Sequence, residues 1–263
     1  MGMAEKDIRF NDGAAYERMM GVWSRSAGEV FLDWLKPPAG LRWIDVGCGN
    51  GAFTELIVER QAPAAVEGID PSEAQIAFAR TRPSARLARF QQGDAMALPF
   101  GDAGFDAAVM ALVIFFVPEP ARGVAEMARV VRPGGIVCAY AWDVVGGGLP
   151  FQPIVGEMKA MGMSPPLPPS FEASKMDVLR ELWKGAALEE IETREIVVSR
   201  TFAGFEDFWA TNMLALIGER IAALPPADAR QLKDRVRARL PADAAGRISY
   251  TSRANAIKGR VPK

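Results

Sequence analysis

The chain has 263 residues, 49% of them hydrophobic and 24% charged, with a formal net charge of −1. That length can bury a sizeable core in one α/β domain, and the near-neutral charge excludes a global basic field of the kind used to grip phosphate backbones. No apolar run reaches the roughly 18 residues of a membrane span, and MGMAEKD is neither a signal peptide nor a myristoylation site because Lys6 replaces the required Ser or Thr, so a cytoplasmic protein is expected.

In chain order, residues 14–35 place Tyr16, Met19, Met20, Trp23, Ala27, Val30, Phe31, Trp34 and Leu35 at helical intervals. Asn11 or Asp12 would cap this helix and Pro37-Pro38 would end it. Strands and helices then alternate: strand 41–46, helix 52–60, strand 65–69, helix 72–80, strands 86–91 and 105–112, helix 119–130 and strand 135–142. This is the pattern of a doubly wound, mostly parallel sheet. Residues 143–172, with their glycine run and scattered prolines, read as an irregular insertion. A helix at 174–185, an alternating segment 189–202, two helices at 204–223 and 226–240 and an alternating segment 247–258 follow, the last able to pair antiparallel with 189–202. The division expected is a helical cover (1–38), a core (40–142) and two insertions (143–173 and 203–245) within one domain.

The run WIDVGCGNG, Trp43 to Gly51, joins a buried strand to a helix through a glycine-rich loop. Gly47, Gly49 and Gly51 let the backbone turn and approach a ligand where a β-carbon would collide with it, as adenosyl-type cofactors require. GCGNGA also satisfies the dinucleotide pattern G-x-G-x-x-G/A, and Asp70 lies about 20 residues further on, so a nicotinamide enzyme would look much the same here. Asp45, at a buried strand end, needs a partner, for which the loop's backbone amides are candidates. Asp70 stands at a strand terminus, where a carboxylate can accept from two hydroxyls, and Pro71 and Ser72 open the next helix.

Five segments at ordered spacing separate the two readings: Asp45 with the glycine loop, EGIDPS at 67–72, GDAMALPF at 93–100, FDAAVMALVIFFVPEP at 105–120 and RVVRPGG at 129–135. Together they resemble the class I S-adenosylmethionine-dependent methyltransferases, in particular the type 11 group with the ubiquinone and menaquinone biosynthesis enzymes. The resemblance implies a Rossmann-like seven-stranded sheet with a reversed last strand, the insertions above its carboxyl edge, and S-adenosylmethionine as cofactor, leaving as S-adenosylhomocysteine. It implies that Gly47, Cys48, Gly49 and Gly51 form the cofactor loop, that Asp45 helps hold the methionine end, and that Asp70, with Pro71 beside it, receives the ribose hydroxyls. It further assigns Asp94 to the adenine amino group with the backbone of Ala95 and Met96 beside the ring, and Ala111 to the cofactor lining. In related enzymes the N-terminal helix folds over the cofactor, so Tyr16 and Trp23 either face the sulfonium or pack in the core.

The loop after residue 110 reads ALVIFFVPEP, without the Asn-Pro-Pro-aromatic sequence of the enzymes that methylate DNA bases or glutamine, so nucleic acid is not the expected partner. Phe115, Trp142, Phe205 and Trp209 are candidates for substrate contact, and the abundance of Met and aromatic residues favours a small, largely apolar metabolite. With no histidine and two cysteines, the chain has no triad, no usual general base and no expected metal site. Methyl transfer would rest on proximity and desolvation, with Tyr16, Tyr140, Tyr250, Glu157 and Glu172 the remaining candidate bases. The alternatives are a catalytically silent S-adenosylmethionine-binding protein and an NAD(P)-dependent reductase. The second lacks a Tyr-x-x-x-Lys pair.

Overall fold

The computed structural model describes residues 17–214 and 216–263, so Tyr16 and the caps expected at Asn11 or Asp12 lie outside the described residues. A π-helical turn, Glu17–Gly21, leads into α1 (Val22–Leu35), which buries Trp23, Ala27, Phe31 and Leu35 on one face and ends at Lys36 in the left-handed region, just before the two prolines. Then come β1 (Arg42–Val46), α2 (Ala52–Gln61), β2 (Ala65–Asp70), α3 (Glu73–Ala79), β3 (Ala88–Gln92), β4 (Phe105–Ala111), α4 (Pro120–Val130) and β5 (Val131–Trp142). The second part comprises α5 (Gln152–Ala160), α6 (Met176–Gly185), β6 (Glu189–Phe202), α7 (Phe205–Asn212), α8 (Leu216–Ala222), α9 (Pro226–Arg239) and β7 (Ile248–Arg260). No helix among the described residues is long and apolar enough to cross a membrane.

The strands form one sheet in the order β3-β2-β1-β4-β5-β7-β6. β1 pairs in parallel with β2 (Asp45 opposite Gly68) and with β4 (Asp45 opposite Val109), which makes the gap between β1 and β4 the point where chain order reverses. Trp43, Ile44 and Val46 are buried on both faces of the sheet, as a central parallel strand requires. β7 runs antiparallel to β5 and to β6, so the reversed last strand stands between its neighbours rather than at the edge. Beyond the Trp142–Ala254 pair, β6 and β7 continue as a two-stranded ribbon to Phe202 opposite Ile248, standing above the carboxyl edge of the sheet.

Three expectations are corrected. The insertion at 143–172 is not wholly irregular, because Gln152–Ala160 is a helix. Pro153 sits in its first turn, where a missing N–H costs nothing. The single helix expected at 204–223 is divided into α7 and α8. Asn212 turns its amide back onto the Phe208 carbonyl at 2.8 Å, and Gly218 approaches Met213 so closely that a β-carbon would lie 2.1 Å from its carbonyl oxygen. Strand β5 also begins earlier than expected, at Val131.

α9 holds the insertions together. Glu157 on α5 accepts from the Nε atoms of Arg235 (2.6 Å) and Arg239 (2.8 Å), while Glu206 on α7 binds Lys233 (2.7 Å) and Arg237 (2.5 Å). The basic face of α9, though largely exposed, thereby fastens α5 and α7 to it. The Arg235 bond holds the Glu157 carboxyl below its ordinary 4.5, so its stabilisation is present above that value and lost as pH falls. Glu157→Gln is expected to speed proteolysis within 161–170 several-fold without changing cofactor affinity. Unchanged cleavage kinetics would show that the clasp does not restrain the insertion.

Candidate functional site

The glycine loop is tied to the end of β2. The amides of Gly47 and Cys48 both donate to the Ile69 carbonyl (2.7 and 2.9 Å), and Gly51 N–H closes the loop onto the Cys48 carbonyl at 2.9 Å. All three loop glycines have positive φ, but they differ in surroundings. A β-carbon on Gly47 would stand 2.4 Å from Val113 Cγ1, so this glycine lets the loop after β4 pack directly on it. On Gly49 it would meet nothing within 4 Å, which leaves open space above the loop.

Asp70 organises that opening. One carboxylate oxygen accepts from Gly49 N–H at 3.0 Å and the other from Ser72 N–H at 2.9 Å, and Ser72 Oγ caps α3 by accepting from Gln75 N–H at 3.4 Å. Burial raises the Asp70 pKa, opposed by the bonds from Ser72 and Gly49. Two bonds leave lone pairs for further donors. Pro71 O accepts from Gln92 Nε2 at 2.8 Å, and Gly93 N–H donates to the Asp70 carbonyl at 3.1 Å, so the segment carrying Asp94 continues the same edge. Asp94 is exposed and accepts from Met96 N–H at 2.8 Å, turning the chain at Ala95 and Met96.

Asp45 differs from expectation in its partner. It is fully buried, and its Oδ2 accepts from Thr54 Oγ1 at 2.6 Å rather than from the glycine loop. Its Oδ1 has no partner among the described residues. Burial pushes its pKa from 3.8 up to about 7, moderated by the Thr54 bond and raised further by Asp70. Thr54 follows Asp45 into the next helix, and no periodicity in the sequence marks it. An orphaned carboxylate oxygen and an open glycine cradle fit a ligand carrying a cationic amine and an adenosyl ribose.

Ala111 ends β4, and Leu112 after it adopts φ +64, a left-handed conformation rare for a branched residue, held by its N–H donating to the Tyr140 carbonyl at 2.8 Å. Neither cysteine is a poised nucleophile: burial raises both thiols well above their ordinary value. Phe115 is buried against Phe116 and its carbonyl accepts from Ser170 N–H at 3.0 Å, joining this loop to the first insertion.

Trp23 lies in an aromatic cluster, its centroid 6.4 Å from Trp142, 6.3 Å from Tyr250 and 6.5 Å from Phe202. Phe208 joins at 5.2 Å from Phe202. Phe205 and Trp209, by contrast, stack on each other at 5.9 Å and carry the cations of Arg237 (4.6 Å) and Lys233 (5.8 Å), so they engage α9. Of the expected contact residues, Trp23 and Trp142 lie in this cluster and Phe205 and Trp209 do not, while Phe202 has no signal of its own in the sequence. The helical spacing of α7 alone cannot say which of Phe205, Phe208 and Trp209 turns inward.

A doubly wound sheet with a glycine loop at its switch point and an aspartate ending the adjacent strand defines an adenosyl-cofactor-binding α/β protein. Residues 44–139 match the family described as a methyltransferase domain, and this segment is similar to the class I S-adenosylmethionine-dependent methyltransferases, whose cofactor is S-adenosylmethionine. The chain is 41% identical over 98 residues to the chloroplastic 2-methyl-6-phytyl-1,4-hydroquinone methyltransferase 2 of Oryza sativa subsp. japonica, a match covering 37% of this chain and 28% of that protein. It is 35% identical over 111 residues to the ubiquinone/menaquinone biosynthesis C-methyltransferase UbiE of Roseobacter denitrificans, covering 41% and 44%. These matches span less than half the length of either relative. Haemonchus contortus phosphoethanolamine N-methyltransferase 2, solved in complex with S-adenosyl-L-methionine, superimposes with a TM-score of 0.58 at 19% identity over 95% of this chain and 56% of that one, a likeness of fold.

Proposed function

We propose that the protein transfers a methyl group from S-adenosylmethionine to a small, largely apolar metabolite, using alignment and exclusion of water in place of a side-chain base. The observation that carries this reading is the aromatic cluster of Trp23, Trp142, Phe202 and Tyr250, which gathers α1, the carboxyl end of β5 and the β6–β7 ribbon on the same edge of the sheet as the glycine loop. Its apolar character suits a flat or aliphatic acceptor.

When bound, the cofactor supplies a methyl carbon on a positively charged sulfur, open to in-line attack. Asp70 would accept from the ribose hydroxyls, Asp45 Oδ1 would receive the ammonium, and Asp94 would meet the adenine amine with Ala95, Met96 and Ala111 alongside. Trp142 and Phe115 are assigned to the acceptor side. The candidate bases among the described residues are engaged elsewhere. Burial pushes the Tyr250 hydroxyl up to about 12, Glu157 is clasped by two arginines, and Glu172 is paired with Lys175. Tyr140 is buried between Phe31 and Phe53. With the candidate bases among the described residues engaged in this way, any acceptor proton would leave to solvent rather than to a side chain.

Titration with S-adenosylhomocysteine is expected to give saturable binding, which NAD and NADP do not reproduce. Asp70→Asn is expected to weaken it by roughly 1.5–3 kcal/mol, the loss of a charged hydrogen-bond acceptor. Wild-type affinity in that variant would remove Asp70 from the site, and binding without methyl transfer to any apolar acceptor would favour a silent binding protein.

A further inference from the structure

Arg200 is a half-buried arginine without a counterion among the described residues. It lies on the β6–β7 ribbon opposite Tyr250, on the same sheet face as Phe202 and, one register step back, Ser252 opposite Val198. Its guanidinium sits 4.6 Å from the Phe202 ring centroid, and Nη1 donates to the Met19 carbonyl at 3.0 Å. No carboxylate among the described residues comes within ion-pair distance. Asp207 acts on it only from further away, with one oxygen taken by Ala203 N–H at 2.9 Å. The other partly covered arginines are paired: Arg82 with Glu55 at 2.7 Å, Arg129 with Glu126 at 2.7 Å, and Arg253 with Asp143 at 2.5 Å.

Two further polar atoms on this side of the sheet are buried and unpartnered. Ser252 is 1% exposed and Trp142 3% exposed, and neither Ser252 Oγ nor Trp142 Nε1 finds a hydrogen-bond partner among the described residues. Trp142 touches Trp23, whose ring also meets Phe202 and Tyr250, the residues flanking Arg200. A seam between α1 and the ribbon thus combines apolar rings, two idle polar groups and one desolvated cation. Buried polar groups are ordinarily satisfied, and a guanidinium presents a planar fork that matches a carboxylate.

We propose that this seam binds the acceptor and that Arg200 anchors a carboxylate on it, so the methyl acceptor is an amphipathic anion held by its acid group, with its apolar body among Trp23, Trp142, Phe202 and Tyr250. The proposal rests on the methyltransferase reading for the meaning of the ligand, though not for its binding. One guanidinium balances one negative charge. The carboxylate serves as a handle, and the atom that is methylated lies toward the glycine loop.

The test compares 4-phenylbutyrate with 4-phenylbutanol by calorimetry on the full chain, with and without S-adenosylhomocysteine. The carboxylate is expected to bind about tenfold or more tightly than the alcohol, Arg200→Gln to erase that preference, and Arg200→Lys to restore part of it. Equal affinity of both probes for the wild type, binding of neither, or an undiminished preference in Arg200→Gln would overturn the proposal. So would a loss of S-adenosylhomocysteine affinity in Arg200→Gln, which would assign the arginine to the cofactor. The wild-type comparison stands even where a variant folds poorly. Failure of the wild type to bind S-adenosylhomocysteine would sink the methyltransferase reading, and the carboxylate preference would still be read separately.

Discussion

Unfolding measurements on the cofactor-free protein are expected to show an Asp45-dependent loss of stability as pH rises toward neutrality. The sign follows from the raised pKa. Between 3.8 and about 7 the folded state holds the Asp45 proton and the unfolded state does not, so stability is full at acid pH and is lost as pH climbs through the folded value. At full development the loss is up to roughly 4 kcal/mol. Asp70, also raised by burial, adds a slope of the same sign, and the carboxylates lowered by arginines, such as Glu126 and Asp106, act in the opposite sense at acid pH. The informative quantity is therefore the difference between wild type and Asp45→Asn across the pH range. That difference should grow as pH rises to 7 and then level off. Parallel curves for the two proteins would show that Asp45 ionises as an ordinary carboxylate. Saturating S-adenosylmethionine should shrink the wild-type slope if Asp45 Oδ1 receives the ammonium.

A second pair of variants separates the loop's role in folding from its role in binding. Gly47→Ala forces a β-carbon to within 2.4 Å of Val113 at φ +78, and should cost roughly 3 kcal/mol or more from strain and overpacking together. Gly49→Ala, at φ +53 in open space, should cost only about 1–2 kcal/mol. Its methyl group instead enters the space assigned to the cofactor, and affinity for S-adenosylhomocysteine should fall about 100-fold or more. Thermal melts and calorimetric titration distinguish the two outcomes. A Gly49→Ala protein that binds like wild type would mean that the open space is not the cofactor's.

The same contrast shows what could be read in advance. Gly47 and Gly49 look alike in the sequence because both serve a tight turn. Their different consequences come from Val113, which sits far along the chain and is brought onto Gly47 only by the packing of β1 against β4. Asp45 could be recognised as a buried carboxylate needing a partner, but Thr54 could not be singled out, since a threonine inside a helix carries no signature of which way it points. The break between α7 and α8 was also hidden, because one side-chain bond from Asn212 and one close approach at Gly218 decide it against a continuous helical pattern.

Local chemistry along the chain determined the order and type of the core elements, the cofactor loop, and the carboxylates at the ends of β1, β2 and after β3, because hydrophobic period, glycine placement and strand ends act over a few residues. Tertiary structure alone decided what the insertions do. It gathered Trp23, Trp142, Phe202, Phe208 and Tyr250 into one cluster, paired Arg235, Arg237 and Arg239 of α9 with Glu157 and Glu206, and left Arg200 beside that cluster without a counterion among the described residues. Each of these depends on which faces of distant elements meet, and burial and charge pairing are settled only when they do.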